Sequence, residues 1–157
     1  MSKITPISNY LTEHNIPHRQ FTHPGQVRSF EQAAAERGQE PEQIVRSLLF
    51  RAAEDEFVMV LVAGPEQISW KALRRYLGQN RVTMATKEEV LSVTGYEIGA
   101  VAPFALPTPL RVLVDESVFR PQEVSIGSGT RNTTIILQTA ALKAALGEVE
   151  LVRFLAA

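Results

Sequence analysis

Two almost uninterrupted runs of apolar residues dominate the hydrophobic pattern of the chain. Residues 44–50 (IVRSLLF) and 57–62 (FVMVLV) are rich in β-branched and large aliphatic side chains, and the polar segment 53–56 (AEDE) separates them. Runs of this length joined by a short polar turn predict an antiparallel β-hairpin. Because polar residues hardly interrupt either run, we expect both faces of these strands to be covered.

Shorter β-rich segments and five helical segments account for most of the remaining pattern. Further strands are predicted at residues 18–23, 111–115, 123–126, 133–137 and 148–154. The first helix carries Pro6 in its first turn, and the other four are predicted to begin at capping residues, namely Ser29, Ser69, Thr86 and Thr139. These four are expected to end at glycines, namely Gly38, Gly78, Gly95 and Gly147.

Strands outnumber helices in this pattern and do not alternate with them regularly, which argues against a Rossmann-type sheet. The pattern predicts an α+β fold with a mixed, strongly curved, barrel-like sheet flanked by helices. A length of 157 residues is typical of one domain, so residues 1–157 are predicted to form a single domain with one core.

The composition of the chain excludes several kinds of site and partner but does not identify an activity. The 16 Lys and Arg residues nearly balance the 17 Asp and Glu residues, so the overall charge gives no attraction to nucleic acid or to an anionic membrane. The chain contains no cysteine, which excludes disulfides, thiolate metal sites and cysteine nucleophiles. No run approaches the roughly 18 apolar residues of a membrane span, and the N-terminus lacks a signal-peptide pattern. We therefore expect a cytoplasmic protein that associates with no membrane and binds no DNA.

Arg46 is the most unusual residue of the first predicted strand, because an arginine cannot lose its charge in a protein and the run around it is apolar. Strand alternation places it on the same face as Ile44 and Leu48. A solvent-facing Arg46 would leave both of these neighbours exposed. We therefore expect Arg46 to line the main cleft, near residues 99–103 and 127–129, although alternation alone equally allows an arginine on the solvent face.

Two glycine-containing segments are further candidates for a binding site. Residues 95–104 (GYEIGAVAPF) hold two glycines four positions apart and little side-chain bulk, so this loop can approach a small ligand closely. Residues 127–129 (GSG) lie between two predicted strands and can form an anion-binding nest of backbone N–H groups. Spacing alone favours an ordinary turn for the first segment and a hairpin loop for the second.

Other catalytic patterns are missing from the sequence. No serine lies in a G-x-S-x-G motif, and the carboxylates show no spacing that marks an acid and base pair. His14, His18 and His23 do not follow a zinc-binding spacing and are interpreted as surface or hydrogen-bonding residues. No metal or other cofactor is expected.

Several motifs occur here in the order found in one known family. These are residues 29–34 (SFEQAA), 43–50 (QIVRSLLF), 94–104 (TGYEIGAVAPF) and 127–129 (GSG), with a strand ending at Asp115 before the last of them. Over nearly its whole length the chain resembles the YbaK/prolyl-tRNA synthetase-associated domain family, whose members are related to the editing domain of bacterial prolyl-tRNA synthetase. The resemblance implies hydrolysis, in trans, of the ester bond of a mischarged aminoacyl-tRNA.

The resemblance also implies which residues would surround the substrate. The expected partner is the 3′ aminoacyl-adenosine end of the tRNA, and an aminoacyl-tRNA synthetase is a further candidate partner. Arg46 occupies the position of the family lysine and is the implied catalytic residue. The implied substrate-binding residues are Ser47, Gly99, Ala100, Val101, Ala102, Pro103, Gly127, Ser128 and Gly129.

Arginine in place of lysine leaves more than one function open, because the two side chains are not interchangeable. An arginine can hold a carbonyl or phosphate oxygen, but it cannot act where a neutral amine is needed. A non-catalytic module that binds an aminoacyl-tRNA end, a nucleotide or a synthetase is therefore the alternative. A small-molecule ester or amide hydrolase is a third possibility.

Overall fold

The computed structural model describes residues 4–154. The prediction of one domain over residues 1–157 therefore extends at both ends beyond the described residues. Within them lie five α-helices: α1 (Pro6–Glu13), α2 (Phe30–Arg37), α3 (Trp70–Leu77), α4 (Lys87–Thr94) and α5 (Thr139–Leu146). None of these has the length and apolar character that a membrane crossing requires.

Helix capping follows the sequence prediction at three of the four predicted N-caps. The side chains of Ser29, Ser69 and Thr86 each accept a hydrogen bond from the backbone three residues later. The prediction for Thr139 is wrong. This residue is the first of α5, and its hydroxyl donates to the Pro121 carbonyl oxygen at 2.5 Å instead of capping the helix.

The described strands form two sheets. The strands are β1 (Arg19–Thr22), β2 (Val45–Ala53), β3 (Glu56–Ala63), β4 (Thr83–Met84), β5 (Arg111–Asp115), β6 (Glu123–Gly127), β7 (Thr133–Gln138) and β8 (Glu150–Val152). A mixed sheet has the order β4-β2-β3-β5-β8, with β3, β5 and β8 parallel and β2 antiparallel to both of its neighbours. An antiparallel sheet has the order β1-β7-β6.

The α+β class and the mixed sheet are as predicted, but the strongly curved, barrel-like form is wrong. The strands divide between two sheets, and neither is closed or strongly curled. Among the described residues, one isolated bridge, between Ile44 and Ser125, joins them. β4 pairs only with Phe50 and Arg51, so no described strand of this sheet runs along the outer side of the first half of β2. This open edge is where the candidate site lies.

The five-stranded sheet separates two apolar clusters, as the alternation along β3 requires. Met59 and Leu61 pack between the two sheets with residues of α1, β6 and β7. Val58, Val60 and Val62 pack on the opposite face, which α3 covers. The prediction that both faces are covered is therefore confirmed for β3, whereas residues 46–48 of β2 are only half-buried.

Candidate active site

A cavity of about 280 Å³ lies at the open edge of β2. Its lining includes Met84 of β4 and residues 126 and 127 of β6, so both sheets contribute to the cavity. Its walls are formed by Arg37, Ile44, Val45, Arg46, Ser47, Leu48, Leu49, Met84, Ala85, Val90, Ile98, Gly99, Val101, Ile126, Gly127, Thr133 and Thr134. Met84 and Ile98 are about half exposed and form an apolar rim.

Half of the site residues expected from the sequence line this cavity. They come from three separate parts of the chain, namely β2, the loop after α4 and the end of β6, and are Arg46, Ser47, Gly99, Val101 and Gly127. The fold therefore brings the two glycine segments together beside the arginine.

The other expected residues do not line this cavity. Ala100 and Ala102 are buried in the protein, and Pro103 lines a different surface depression near Tyr10. The Ser128 hydroxyl donates to the Thr133 carbonyl oxygen at 2.7 Å and accepts from the Thr130 N–H at 3.1 Å. This side chain thus stabilises the turn that follows β6.

The two glycine loops are in direct contact. The Gly129 N–H donates to the Ala100 carbonyl oxygen at 2.9 Å. A Cβ atom added to Gly127 would lie 2.0 Å from the Val101 carbonyl oxygen. Gly127 is therefore needed for the close approach of two backbones, and the anion-binding nest considered for residues 127–129 is not required to explain it.

Arg46 lines the cavity, but Glu66 and Phe30, which its guanidinium approaches, are not among the lining residues. Nη2 donates to the Glu66 carbonyl oxygen at 2.5 Å, and the group lies 6.0 Å from the centre of the Phe30 ring. Nε is buried and has no hydrogen-bond partner among the described residues. Burial lowers the pKa of Arg46 and the Glu66 charge opposes this effect. Among residues 4–154 no carboxylate forms a salt bridge with Arg46, so the Glu66 charge acts on this cation only from a greater distance.

Ser47 contributes both a side chain and backbone groups at the open edge. Its hydroxyl is buried without a hydrogen-bond partner in the described part of the chain. The Leu49 carbonyl oxygen accepts from Ala85 N–H, which shows that Leu49 directs its backbone groups away from β3. Since alternate residues of a strand direct them the same way, the backbone of Ser47 also faces the open edge. A hydroxyl and a backbone N–H with unused hydrogen-bonding capacity thus lie beside the cavity.

Arg37 is the charged residue of this cavity that sequence reasoning missed. Its Nη1 donates to Ser125 Oγ at 2.9 Å and its Nε donates to His23 Nε2 at 3.0 Å. Burial lowers its pKa to about 10, so the side chain remains charged at neutral pH. A cation in the last turn of a helix is ordinary, because it interacts favourably with the helix dipole, and the sequence therefore gave no signal.

The cavity walls contain two cations, with no carboxylate and no histidine among their described residues. Within residues 4–154 no three His, Cys, Asp or Glu side chains are grouped as a metal site requires. The histidines serve in hydrogen bonds: His18 with Ser8, His14 with the Tyr10 carbonyl oxygen, and buried His23 with Glu36.

Comparison with known proteins identifies the family. Residues 24–145 match the family model of the aminoacyl-tRNA editing domain. The chain belongs to this family. The match runs from before α2 to the penultimate residue of α5, and it therefore includes every residue that lines the cavity of this editing domain.

Relatives of the editing domain occur both as short chains and within larger enzymes. It is 38% identical to the uncharacterized protein YwhH of Bacillus subtilis over 107 residues, which is 68% of each chain. It is 31% identical to the proline–tRNA ligase of Thermosipho melanesiensis over 114 residues, but these are 73% of this chain and only 20% of the ligase.

Solved structures share the fold over the whole chain. A crystal structure described as a candidate trans-editing enzyme for prolyl-tRNA synthetase superposes on the editing domain with a TM-score of 0.84 at 26% identity, covering 99% of this chain and 100% of the other. The hypothetical protein APE2540 superposes with a TM-score of 0.81 at 24% identity, which shows a common fold.

Proposed function

We propose that this editing domain hydrolyses, in trans, the ester bond of a mischarged aminoacyl-tRNA. The proposal is supported by the family and by the structural neighbour described as a trans-editing enzyme. The observation that carries it is the small cavity at the open edge of β2, in which Arg46 and the Ser47 backbone lie beside loops of small residues. This combination suits a small, already activated ester.

Hydrolysis of this ester needs stabilisation of charge more than it needs a strong nucleophile. The oxygen of water adds to the ester carbonyl carbon and the carbonyl oxygen becomes an oxyanion. The bond from this carbon to the ribose oxygen then breaks, and a proton returns to the ribose oxygen. The products are the free amino acid and an uncharged tRNA. Donors that already point at the oxyanion lower the barrier without rearrangement, and each is worth roughly 10²–10³ in rate.

Arg46 and the Ser47 N–H are the proposed oxyanion donors. Arg46 carries a permanent charge in a partly buried place, where an electrostatic interaction is stronger than in water. It cannot accept a proton from water. Because the described cavity walls provide no carboxylate or histidine, the proton of the attacking water passes to the substrate itself, and a ribose hydroxyl is the proposed acceptor.

Cavity size sets the expected substrates. A volume of about 280 Å³ is at the small end of ligand sites, and glycines at positions 99 and 127 line it. Steric exclusion of a large side chain is effective, whereas one missing methylene changes the binding free energy by only ~1–3 kcal/mol. We therefore propose that alanyl, seryl and cysteinyl esters are accepted and that large aromatic ones are excluded.

Comparison of arginine variants tests the assignment of Arg46. We expect R46A to lower the rate of ester hydrolysis tenfold or more and to leave the fold intact, in line with the loss of one oxyanion donor. R51A is the matched control, because Arg51 lies on the same strand outside the cavity and is paired with Glu89 on the surface. Equal rates for R46A and wild type would contradict the assignment.

A non-catalytic binding module is the second candidate, and one observation favours it. The Arg46 guanidinium is already held by the Glu66 carbonyl oxygen, and it replaces the family lysine. If this replacement abolished catalysis, R46K would gain a large rate of hydrolysis over wild type. A rate for R46K at or below that of wild type favours the deacylase.

A further inference from the structure

Arg37 is a second cation in the cavity wall, and it is not among the site residues that the family resemblance implied. It ends α2 and reaches the cavity at the side formed by β6 and β7. Its two hydrogen-bond acceptors, His23 and Ser125, are both almost completely buried. Among residues 4–154 no carboxylate forms a salt bridge with Arg37.

The neighbouring carboxylate is engaged elsewhere. Glu36 Oε1 lies 2.6 Å from His23 Nδ1, and Arg37 donates through Nε to His23 Nε2. Because Nε2 accepts this bond, the hydrogen of the neutral imidazole is on Nδ1 and is donated to Glu36. The series of hydrogen bonds from Arg37 to His23 and from His23 to Glu36 therefore fixes the direction of the guanidinium, but it places no carboxylate within salt-bridge distance of Arg37.

A fixed, partly buried cation without a close anion is unfavourable for folding alone. Burial is the main reason that the pKa of Arg37 falls to about 10. The neutral acceptors His23 and Ser125 take up only part of the guanidinium's hydrogen-bonding capacity, since it has five N–H donors. An anion entering the cavity would supply the missing charge.

We propose that Arg37 binds a phosphate group of the substrate, namely the phosphodiester next to the terminal adenosine of the aminoacyl-tRNA. The inference rests on the proposed function for the identity of that phosphate. In the aminoacyl-adenosine end the phosphate is the anionic group, whereas the amino acid carries an α-amino group that a cation repels when it is protonated. The planar fork of arginine fits two phosphate oxygens at once. Arg37 thus acts as a binding and positioning residue, and Arg46 remains the residue at the ester.

Binding of two stable substrate analogues tests this proposal. The probes are the alanine amide of 3′-amino-3′-deoxyadenosine with a 5′-phosphate and the same compound without it, each titrated calorimetrically into the full chain. We expect wild type to prefer the phosphorylated probe about tenfold, as one charge-assisted bidentate contact provides. R37Q should remove the preference. R28Q, which removes an exposed arginine just before α2, should retain it.

R37K provides a second variant should R37Q disturb the packing of α2. Lysine keeps the charge and loses the planar fork, so the preference should fall at least threefold while thermal unfolding stays close to wild type. A preference that persists in R37Q, or in R37K if only that variant folds, would overturn the proposal. Equal binding of both probes by wild type would also overturn it. Adenosine 5′-monophosphate is the third probe. If it binds as tightly as the phosphorylated aminoacyl probe, the phosphate site belongs to a nucleotide-binding site, and this result would contradict binding of an aminoacyl-tRNA end.

The deacylation assay separates this inference from the proposed function. A protein that hydrolyses the ester but shows no phosphate preference would keep the proposed function and lose the role of Arg37. A protein with the Arg37-dependent preference for the phosphorylated aminoacyl probe but no hydrolysis would keep the phosphate site and lose the deacylase.

Discussion

Replacing Gly127 with alanine should disrupt the contact between the two glycine loops. The added Cβ would lie 2.0 Å from the Val101 carbonyl oxygen, 2.9 Å from the Val101 carbonyl carbon and 3.1 Å from the Ala100 carbonyl oxygen. Real Cβ contacts are essentially never shorter than 3.0 Å, so the two backbones must separate by about 1 Å. No flexible side chain is available to move instead.

The expected cost lies at the upper end of the range for overpacking, about 3 kcal/mol, because the obstacle is backbone. For a domain of this length we expect the midpoint of thermal unfolding to fall by about 6–12 °C. Loop separation also displaces Val101 and Gly127 from the cavity wall, so the rate of ester hydrolysis should fall in the fraction that remains folded.

Circular dichroism during heating measures this effect, and G25A is the matched control. A Cβ added to Gly25 meets no atom within 4 Å, and its backbone is outside the left-handed region. The control should leave the free energy of unfolding unchanged or raise it by up to about 1 kcal/mol, and its melting temperature should be equal to or slightly above that of wild type. A melting temperature of G127A within about 1 °C of wild type would refute the proposed contact, because overpacking costs at least about 1 kcal/mol.

Three further changes have distinct expected outcomes. S47A removes a buried hydroxyl without a partner and keeps the backbone N–H that is the proposed donor. The free energy of unfolding should therefore stay level or rise by up to about 1 kcal/mol with little change in the rate of hydrolysis, and a less stable variant or a tenfold slower one would contradict this. D115N disturbs a carboxylate that accepts hydrogen bonds from the Ser117 and Phe154 N–H groups. Urea unfolding should therefore show a free energy of unfolding about 2 kcal/mol lower than that of wild type, with an unchanged rate of hydrolysis. An unchanged free energy of unfolding would contradict this. Burial raises the pKa of the Tyr96 hydroxyl, whose ordinary value is 10.0. The unfolded chain therefore releases this proton first, and stability should fall as the pH rises above about 10. Y96F should weaken that pH dependence, and an equal slope in both proteins would contradict it.

The helices were predictable because their ends carry local signals. Ser29, Ser69 and Thr86 cap helices through their own side chains, and these bonds join residues only three positions apart. Thr139 has the same residue type as Thr86, but a tertiary acceptor, the Pro121 carbonyl oxygen, takes its hydroxyl. Local patterns cannot show such a competitor.

The order of the strands in the sheets and the position of Arg37 in the cavity wall depend on contacts between residues that are distant in the sequence, so local patterns did not predict them. The division into two sheets follows from where β4 and β6 meet β2, and β4 has only two residues, too few to give a periodic signal. The glycine loops were placed near Arg46 from the family resemblance, because their spacing alone also fitted ordinary turns. Arg37 went unnoticed because its position in the cavity wall is fixed by His23 and Ser125, which are 14 and 88 residues away.

Release of amino acid from mischarged tRNA is the most direct test of the proposed deacylase. Purified protein is incubated with alanyl-, seryl-, cysteinyl- and phenylalanyl-tRNA, and ester loss is compared with buffer alone and with R46A. We predict faster release from at least one of the three small esters, little or none from the phenylalanyl ester, and a rate for R46A at least tenfold lower, as expected for loss of one oxyanion donor. Ester loss equal to that in buffer for all four substrates would contradict the proposed function.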